Sequence, residues 1–377
     1  MDLPNERRRL SVTRIFCESG HSCKGLVGDR GLAAALSKES LMDMLSEHDQ
    51  RYSAYSVTDP ELSSLESYGS KKVEQAFGRP QEEVSLFGCG YACHKGKKPE
   101  TPNQDSWFLL QVEGSFSMYA VFDGHGQSGH HISNFVKDNL PKLIIRDDRL
   151  RNPALKAEML RDAFRDMQGM IGAACLYPPQ GQEPLGAKLA GTTATVVIHD
   201  HDTDKLTVAW VGDSGACIGT RSSESTLSAV ELSQDHKPGM KQERARIEKA
   251  GGSVVYDGYA NHRVFIKGTT YPGLNMSRCL GDLIGHTRAG ISAVPDILEH
   301  QFTTDDKVLL VCSDGVWEFI KPKEAIDIVS SYGPERALEA AEALAQESWD
   351  RWIKEEGGGT VDDITVIVVF LGSEVSI

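Results

Sequence analysis

Apolar and polar positions follow two different rules along this chain. Up to about residue 80, Ser, Glu, Asp and Arg dominate with little β pattern, apart from a helical spacing over 32–45 that puts Leu36, Leu41, Met44 and Leu45 on one stripe. From Phe87 onward the texture changes to short β-rich runs punctuated by Gly and Asp. Segments 107–112 and 117–122 read as adjacent strands around Glu113-Gly114, and 192–198 and 206–211 as a second pair across a polar turn. Further strands are predicted at 307–312 and 364–370. The spacing of Leu155, Met159, Ala163 and Met167 predicts one amphipathic helix, and that of Leu338, Ala341, Ala345, Trp349 and Trp352 another. Hairpins interleaved with long helices point to an α+β architecture of antiparallel sheets covered by helices. The division expected is an extension over 1–80, partly ordered and open to a regulatory role, followed by one catalytic domain over 81–377.

Composition narrows the class. With 377 residues, 40% hydrophobic and 25% charged, the chain can build a sizeable core. Its net charge of -14 argues against a protein that grips nucleic acid or an anionic membrane. No apolar run approaches the roughly 20 residues of a membrane span. The opening residues lack a signal core, and Asp2 excludes N-myristoylation. A soluble monomer in the cytoplasm is expected, with the nucleus also open and secretion excluded. The eight cysteines are scattered through apolar contexts, as suits reduced, buried thiols.

Candidate chemistry lies at strand ends. The apolar run 118–122 leads into Asp123-Gly124-His125-Gly126, which taken alone is an ordinary turn. The pattern recurs, however: 309–312 leads into Ser313-Asp314-Gly315, and 208–211 into Gly212-Asp213. Asp362-Asp363 precedes a strand, and Ser277-Arg278-Cys279-Leu280-Gly281-Asp282 adds another Gly-Asp. Carboxylates without Cys or His partners suit hard, oxygen-preferring cations such as Mg²⁺ or Mn²⁺.

These blocks, in this order from about Gly88 to Leu371, resemble the metal-dependent protein phosphatases of type 2C, the PPM family. The resemblance implies a central β-sandwich of two mostly antiparallel sheets flanked by helices, in α-β-β-α layers, with a site for two cations and a weaker third. It implies hydrolysis of phosphoserine and phosphothreonine in proteins by a metal-activated water, without a covalent intermediate. By position, Asp123 and the Gly124 carbonyl, with Asp314 and Asp362, are the implied metal ligands. Asp213 matches the weaker site, and Asp282 a less defined role. His125, beside Asp123, is the candidate general acid.

Two departures stand out. Gln104 occupies the place where many relatives have Glu, with Asp105 next to it, so the second cation is expected to be held more weakly. The family's phosphate-binding Arg is out of register, and Lys97 or Lys98 is its expected substitute, a point charge without the Arg fork. Segment 233–272 falls where the family carries a flap beside the site. The alternative is a pseudophosphatase that binds phosphoproteins with little or no catalysis.

Overall fold

The computed structural model describes residues 51–58, 65–77, 88–178, 181, 183–223 and 226–372. The proposed helix over 32–45, Cys17 and Cys23 lie outside these residues.

Among the described residues, seven strands form one antiparallel sheet, in spatial order Asp296–Gln301, Lys205–Val211, Ala194–Asp200, Phe116–Phe122, Ser106–Val112, Tyr52–Val57 and Val73–Phe77. Five more form a second, in order Thr226–Glu231, Gly215–Ser223, Asp306–Cys312, Ile364–Phe370 and Cys89–His94. Side chains alternate between faces along a strand, and here the alternation sorts them into three separate cores. On Phe116–Phe122, Met118, Ala120 and Phe122 join the cluster under the helices Gly129–Arg146 and Lys156–Leu176, whereas Tyr119 and Val121 point between the sheets. On Asp306–Cys312, Leu309 and Val311 fill the inter-sheet core, while Val308, Leu310 and Cys312 pack under Pro322–Ser330 and Ala337–Glu355. The result is the expected α-β-β-α sandwich. Strands buried on both faces have no polar side, which is why they read as continuous apolar runs.

The upstream boundary differs from the sequence expectation. Tyr52–Val57 pairs with Ser106–Val112 and Val73–Phe77 pairs with it in turn, so the large sheet begins well before residue 81. Tyr52, Ala54 and Val57 are buried, a contribution hidden in a polar stretch because each strand is short. Helix Gly129–Arg146 is a further difference from that expectation. Its buried stripe Ile132, Val136, Leu140 and Ile144 recurs every four residues, but buried Asn134, Lys137 and Asn139 and the internal Pro141 mask it. In Ala337–Glu355 the apolar face is carried by Ala340, Ala341, Leu344 and Ala345, and Leu338 faces solvent.

The flap-like segment folds as helix Lys241–Lys249 against a three-stranded sheet of Gly252–Tyr256, His262–Ile266 and Pro272–Leu274. A small core of its own, including Ile247, Val264, Ile266 and Met276, holds it together. No described helix is long and apolar enough to cross a membrane. The six described cysteines are free and buried.

Candidate active site

Strand register gathers the acidic residues at one end of the sandwich. Phe122 pairs with Ser106, Ala194 with Val211, Gly215 with Cys312, and Ile364 with His94. Asp105, Asp123, Asp213, Asp314, Asp362 and Asp363 are each within two residues of one of these strand ends, so the pairing itself converges them. Rigid strands are a precise way to aim such groups.

Asp123 is locked through its backbone. Its N–H donates to Thr193 Oγ1 at 3.0 Å, and its carbonyl accepts from the Thr193 N–H at 2.9 Å. Its carboxyl is pushed well above the usual carboxylate range, first by burial and then by Asp314, Asp105 and Asp362. Burial, Asp362 and Asp213 do the same to Asp314, against the opposing pull of Lys237. Asp105 is fully buried and accepts from Thr365 Oγ1 at 2.7 Å; burial and Asp363 raise it to about 6. Among the described residues, Asp105 Oδ1, Asp213 Oδ1 and Asp314 Oδ1 are buried without a hydrogen-bond partner. Crowded carboxylates that keep idle oxygens are what hard divalent cations would satisfy, so this donor set fits Mg²⁺ or Mn²⁺.

The two neighbouring aspartates have different jobs. Asp363 is a clamp: Oδ1 accepts from the Gly96 N–H at 2.7 Å and Oδ2 from the Gln104 N–H at 2.8 Å, tying two segments to the head of strand Ile364–Phe370. Burial opposes its charge, but Lys98 and Lys95 outweigh that and hold its carboxyl below the ordinary range. Asp362 instead meets the Lys98 ammonium.

The two candidate phosphate lysines separate. Lys97 is exposed and donates to the Gly358 carbonyl at 2.6 Å, away from the carboxylates. Lys98 also lies 3.1 Å from Asp363. Burial would drain its charge, yet Asp362, Asp363, Asp123 and Asp105 prevail and hold it well above the usual lysine range. Of these two, Lys98 is the one that carries its charge into the cluster.

Gln104 is nearly buried, and its side-chain N–H donates to the Gly126 carbonyl at 2.6 Å. A Glu could not make that bond, since a carboxylate only accepts. The amide therefore braces the turn that carries Gly124 and His125.

His125 Nε2 lies 2.5 Å from Asp282 Oδ2, and Asp282 is fully buried. Their meeting depends on a small three-stranded sheet of Gly124–His125, Gly191–Thr192 and Leu280–Gly281. Gly191 sits at its centre, opposite both His125 and Gly281. A Cβ on Gly191 would lie 2.3 Å from Asp282 Oδ2 and 2.9 Å from His125 Nε2, so only glycine leaves room for the pair. Asp282 itself adopts a left-handed backbone, φ 40°, which costs a non-glycine residue about 1 kcal/mol or more. Cys279 Sγ donates to the same carboxylate oxygen at 3.2 Å, and these hydrogen bonds account for the close His125–Cys279–Asp282 group.

Asp213 Oδ2 is held by Lys237 at 2.5 Å. Lys237, Gly191 and the bracing role of Gln104 were not foreseen. The Asp235-His236-Lys237-Pro238 string is visible in the sequence, but nothing there says which acid its lysine meets.

The protein phosphatase 2C family model matches residues 91–356. The chain belongs to the type 2C protein phosphatases. This phosphatase is 32% identical over 71% of its length to probable protein phosphatase 2C 72 of Arabidopsis thaliana, covering 81% of that protein. It is 34% identical over 72% of its length to probable protein phosphatase 2C 48 of Oryza sativa subsp. japonica, covering 80% of it. Among solved structures, the serine-threonine phosphatase 2C of Toxoplasma gondii superposes with a TM-score of 0.64 at 20% identity, over 84% of this chain and 98% of that one. At that identity the likeness speaks to the fold alone. Family membership makes the protein a metal-dependent protein-serine/threonine phosphatase acting on phosphoprotein substrates.

Proposed function

We propose that this phosphatase hydrolyses phosphoserine and phosphothreonine by direct attack of water, without a phosphoenzyme, at the carboxylate end of the sandwich. The observation that carries the reading is the convergence of Asp105, Asp123 and Asp314, all with burial-raised carboxyls and two of them, Asp105 and Asp314, with an unpartnered oxygen, beside a charged Lys98. Asp123, the Gly124 carbonyl, Asp314 and Asp362 would hold two divalent cations, Mg²⁺ or Mn²⁺, with Asp213 at a weaker third. Such cations supply Lewis acidity and bring the pKa of water toward neutrality.

The chain's own groups do the rest. Lys98 binds the phosphoryl oxygens, trading Asp362 for substrate. The backbone clamps at Asp123 and Asp363 keep the cluster from relaxing apart. His125, oriented through Nε2 by Asp282, gives the proton that the departing Ser or Thr alkoxide needs. Asp282 stabilises the imidazolium that gives this proton, and the neutral imidazole left behind takes a proton back from water before the next turnover.

The test is release of phosphate from a phosphothreonine peptide in Mn²⁺ or Mg²⁺, with EDTA as control. Metal-dependent turnover is expected in the wild type, falling roughly a thousand-fold in Asp123→Asn. A wild type with no metal-dependent turnover would leave only phosphoprotein binding.

A further inference from the structure

A cavity of about 410 Å³ opens beside the catalytic cluster, lined in part by Glu231, Asp235, Lys237, Met240, Trp317 and Pro322. Three of its walls continue directly from site residues. Gly215 and Ala216 follow Asp213 in the chain, Trp317 ends the helical turn that Asp314 begins, and Lys237 is the cation on Asp213. Anything seated in the cavity is therefore within a few residues' reach of a phosphoryl group at the cluster, at about 3.3–3.6 Å per extended residue.

Its chemistry is two-sided. Trp317 is pinned by N–H bonds to the Gly215 carbonyl at 3.2 Å and the Cys312 carbonyl at 3.0 Å, so the indole is a fixed surface. Met240 and Pro322 extend that apolar wall. Glycine at 215 keeps the floor open, because a Cβ there would come within 3.2 Å of Ser233 Oγ and 3.3 Å of Trp317 Nε1.

Against the apolar wall stand the carboxylates of Glu231 and Asp235, both on exposed residues. The one lysine in the lining is already committed to Asp213, and lies 3.9 Å from Asp235. Burial above all pushes the Asp235 carboxyl up to about 6, with Lys237 opposing it and Asp213, Glu231 and Glu318 adding to it. An aliphatic stem ending in a cation would cover the indole and thioether and bring the missing positive charge to the carboxylates.

We infer that this cavity is a substrate subsite that takes an arginine or lysine side chain flanking the phosphorylated residue, making basic phosphopeptides the preferred substrates. The inference rests on the catalytic reading above and adds to it a sequence preference. The pairing is at the surface, so the expected gain is modest.

The test is a set of phosphothreonine peptides with Arg, Ala or Glu scanned over the three positions on each side, assayed with Mn²⁺ alongside an aryl phosphate. At one position, Arg should raise kcat/KM about five- to ten-fold over Ala, and Glu should lower it. The Arg-to-Ala ratio should fall toward one in the Glu231→Gln/Asp235→Asn double variant and favour Glu in Asp235→Lys. Because each ratio is taken within one enzyme preparation, loss of folded protein cancels. A flat scan in a wild type that hydrolyses the aryl phosphate, or a preference that survives in both variants, overturns this inference alone. No hydrolysis of either substrate class overturns it together with the catalytic reading.

Discussion

The two halves of the proposed active site solve opposite problems. In the acid half, Asp282 meets His125 and Cys279 within 3.2 Å, and Gly191 leaves space for that contact and no more. In the carboxylate half, Asp105, Asp213 and Asp314 each keep an oxygen without a partner, and burial together with charge repulsion raises Asp123 and Asp314. The first half is held by contacts within the folded protein, although Asp282 Oδ1 and His125 Nδ1 stay buried without a hydrogen-bond partner, and the second sets several buried carboxylates against one another. Orientation is thus built into hydrogen bonds of the chain, whereas the charge that Lys98 and Lys237 leave over would be met by bound cations.

Five substitutions can break or sharpen that contrast. The largest effect belongs to Asp123→Asn, which should abolish nearly all turnover and yet raise the thermal midpoint measured in EDTA, because one of several repelling buried carboxylates is gone. A lower midpoint in EDTA would mean that the carboxylate half is not strained. Next comes Asp282→Asn, expected to slow phosphopeptide turnover about a hundred-fold and an aryl phosphate far less, since an aryl leaving group hardly needs a proton. His125→Ala should share this signature; equal losses on both substrates would remove the general-acid role.

Gly191→Ala should act in the same direction by wedging the pair apart, with a loss of about ten-fold on phosphopeptide and little change in the metal concentration for half-activity. If it shifts metal dependence instead, the two halves are not separable. The smallest effect concerns stability. Asp105 sits at about 6 rather than near 3.8, so its contribution is full below about 3.8 and is lost as pH rises through about 6. Between pH 4 and 7 in EDTA, the wild type should therefore lose up to about 3 kcal/mol relative to Asp105→Asn in urea unfolding. Parallel stability curves would show that Asp105 does not titrate in that window.

The same division explains what the sequence could and could not say. Acids at strand ends were legible because an apolar run stopping at an Asp beside a Gly is a local signal, and Asp123, Asp213 and Asp314 all carry it. The sandwich followed from the same runs. Contacts made only by tertiary closure were not legible: Gly191 lies in an unremarkable Ala-Gly-Thr-Thr string, and its use appears only once Gly124–His125 and Leu280–Gly281 flank it. Lys97 and Lys98 looked interchangeable, and a backbone bridge from Lys97 to Val361 decides that they point differently. Leu338 fitted the helical spacing but sits on the outer side of a face that alanines pack more closely.

The order of strands also sets where this protein can be cut. Val73–Phe77 is the outermost strand of the large sheet and shows exposed Glu74 and Gln75 to solvent. A chain trimmed to start at 81 would lose it together with Tyr52–Val57, leaving Ser106–Val112 as the margin. That segment is apolar on both faces, with Trp107, Phe108, Leu109 and Leu110 all buried in the intact protein. An unpaired strand of that kind recruits other chains. The minimal soluble unit should therefore start upstream of Tyr52.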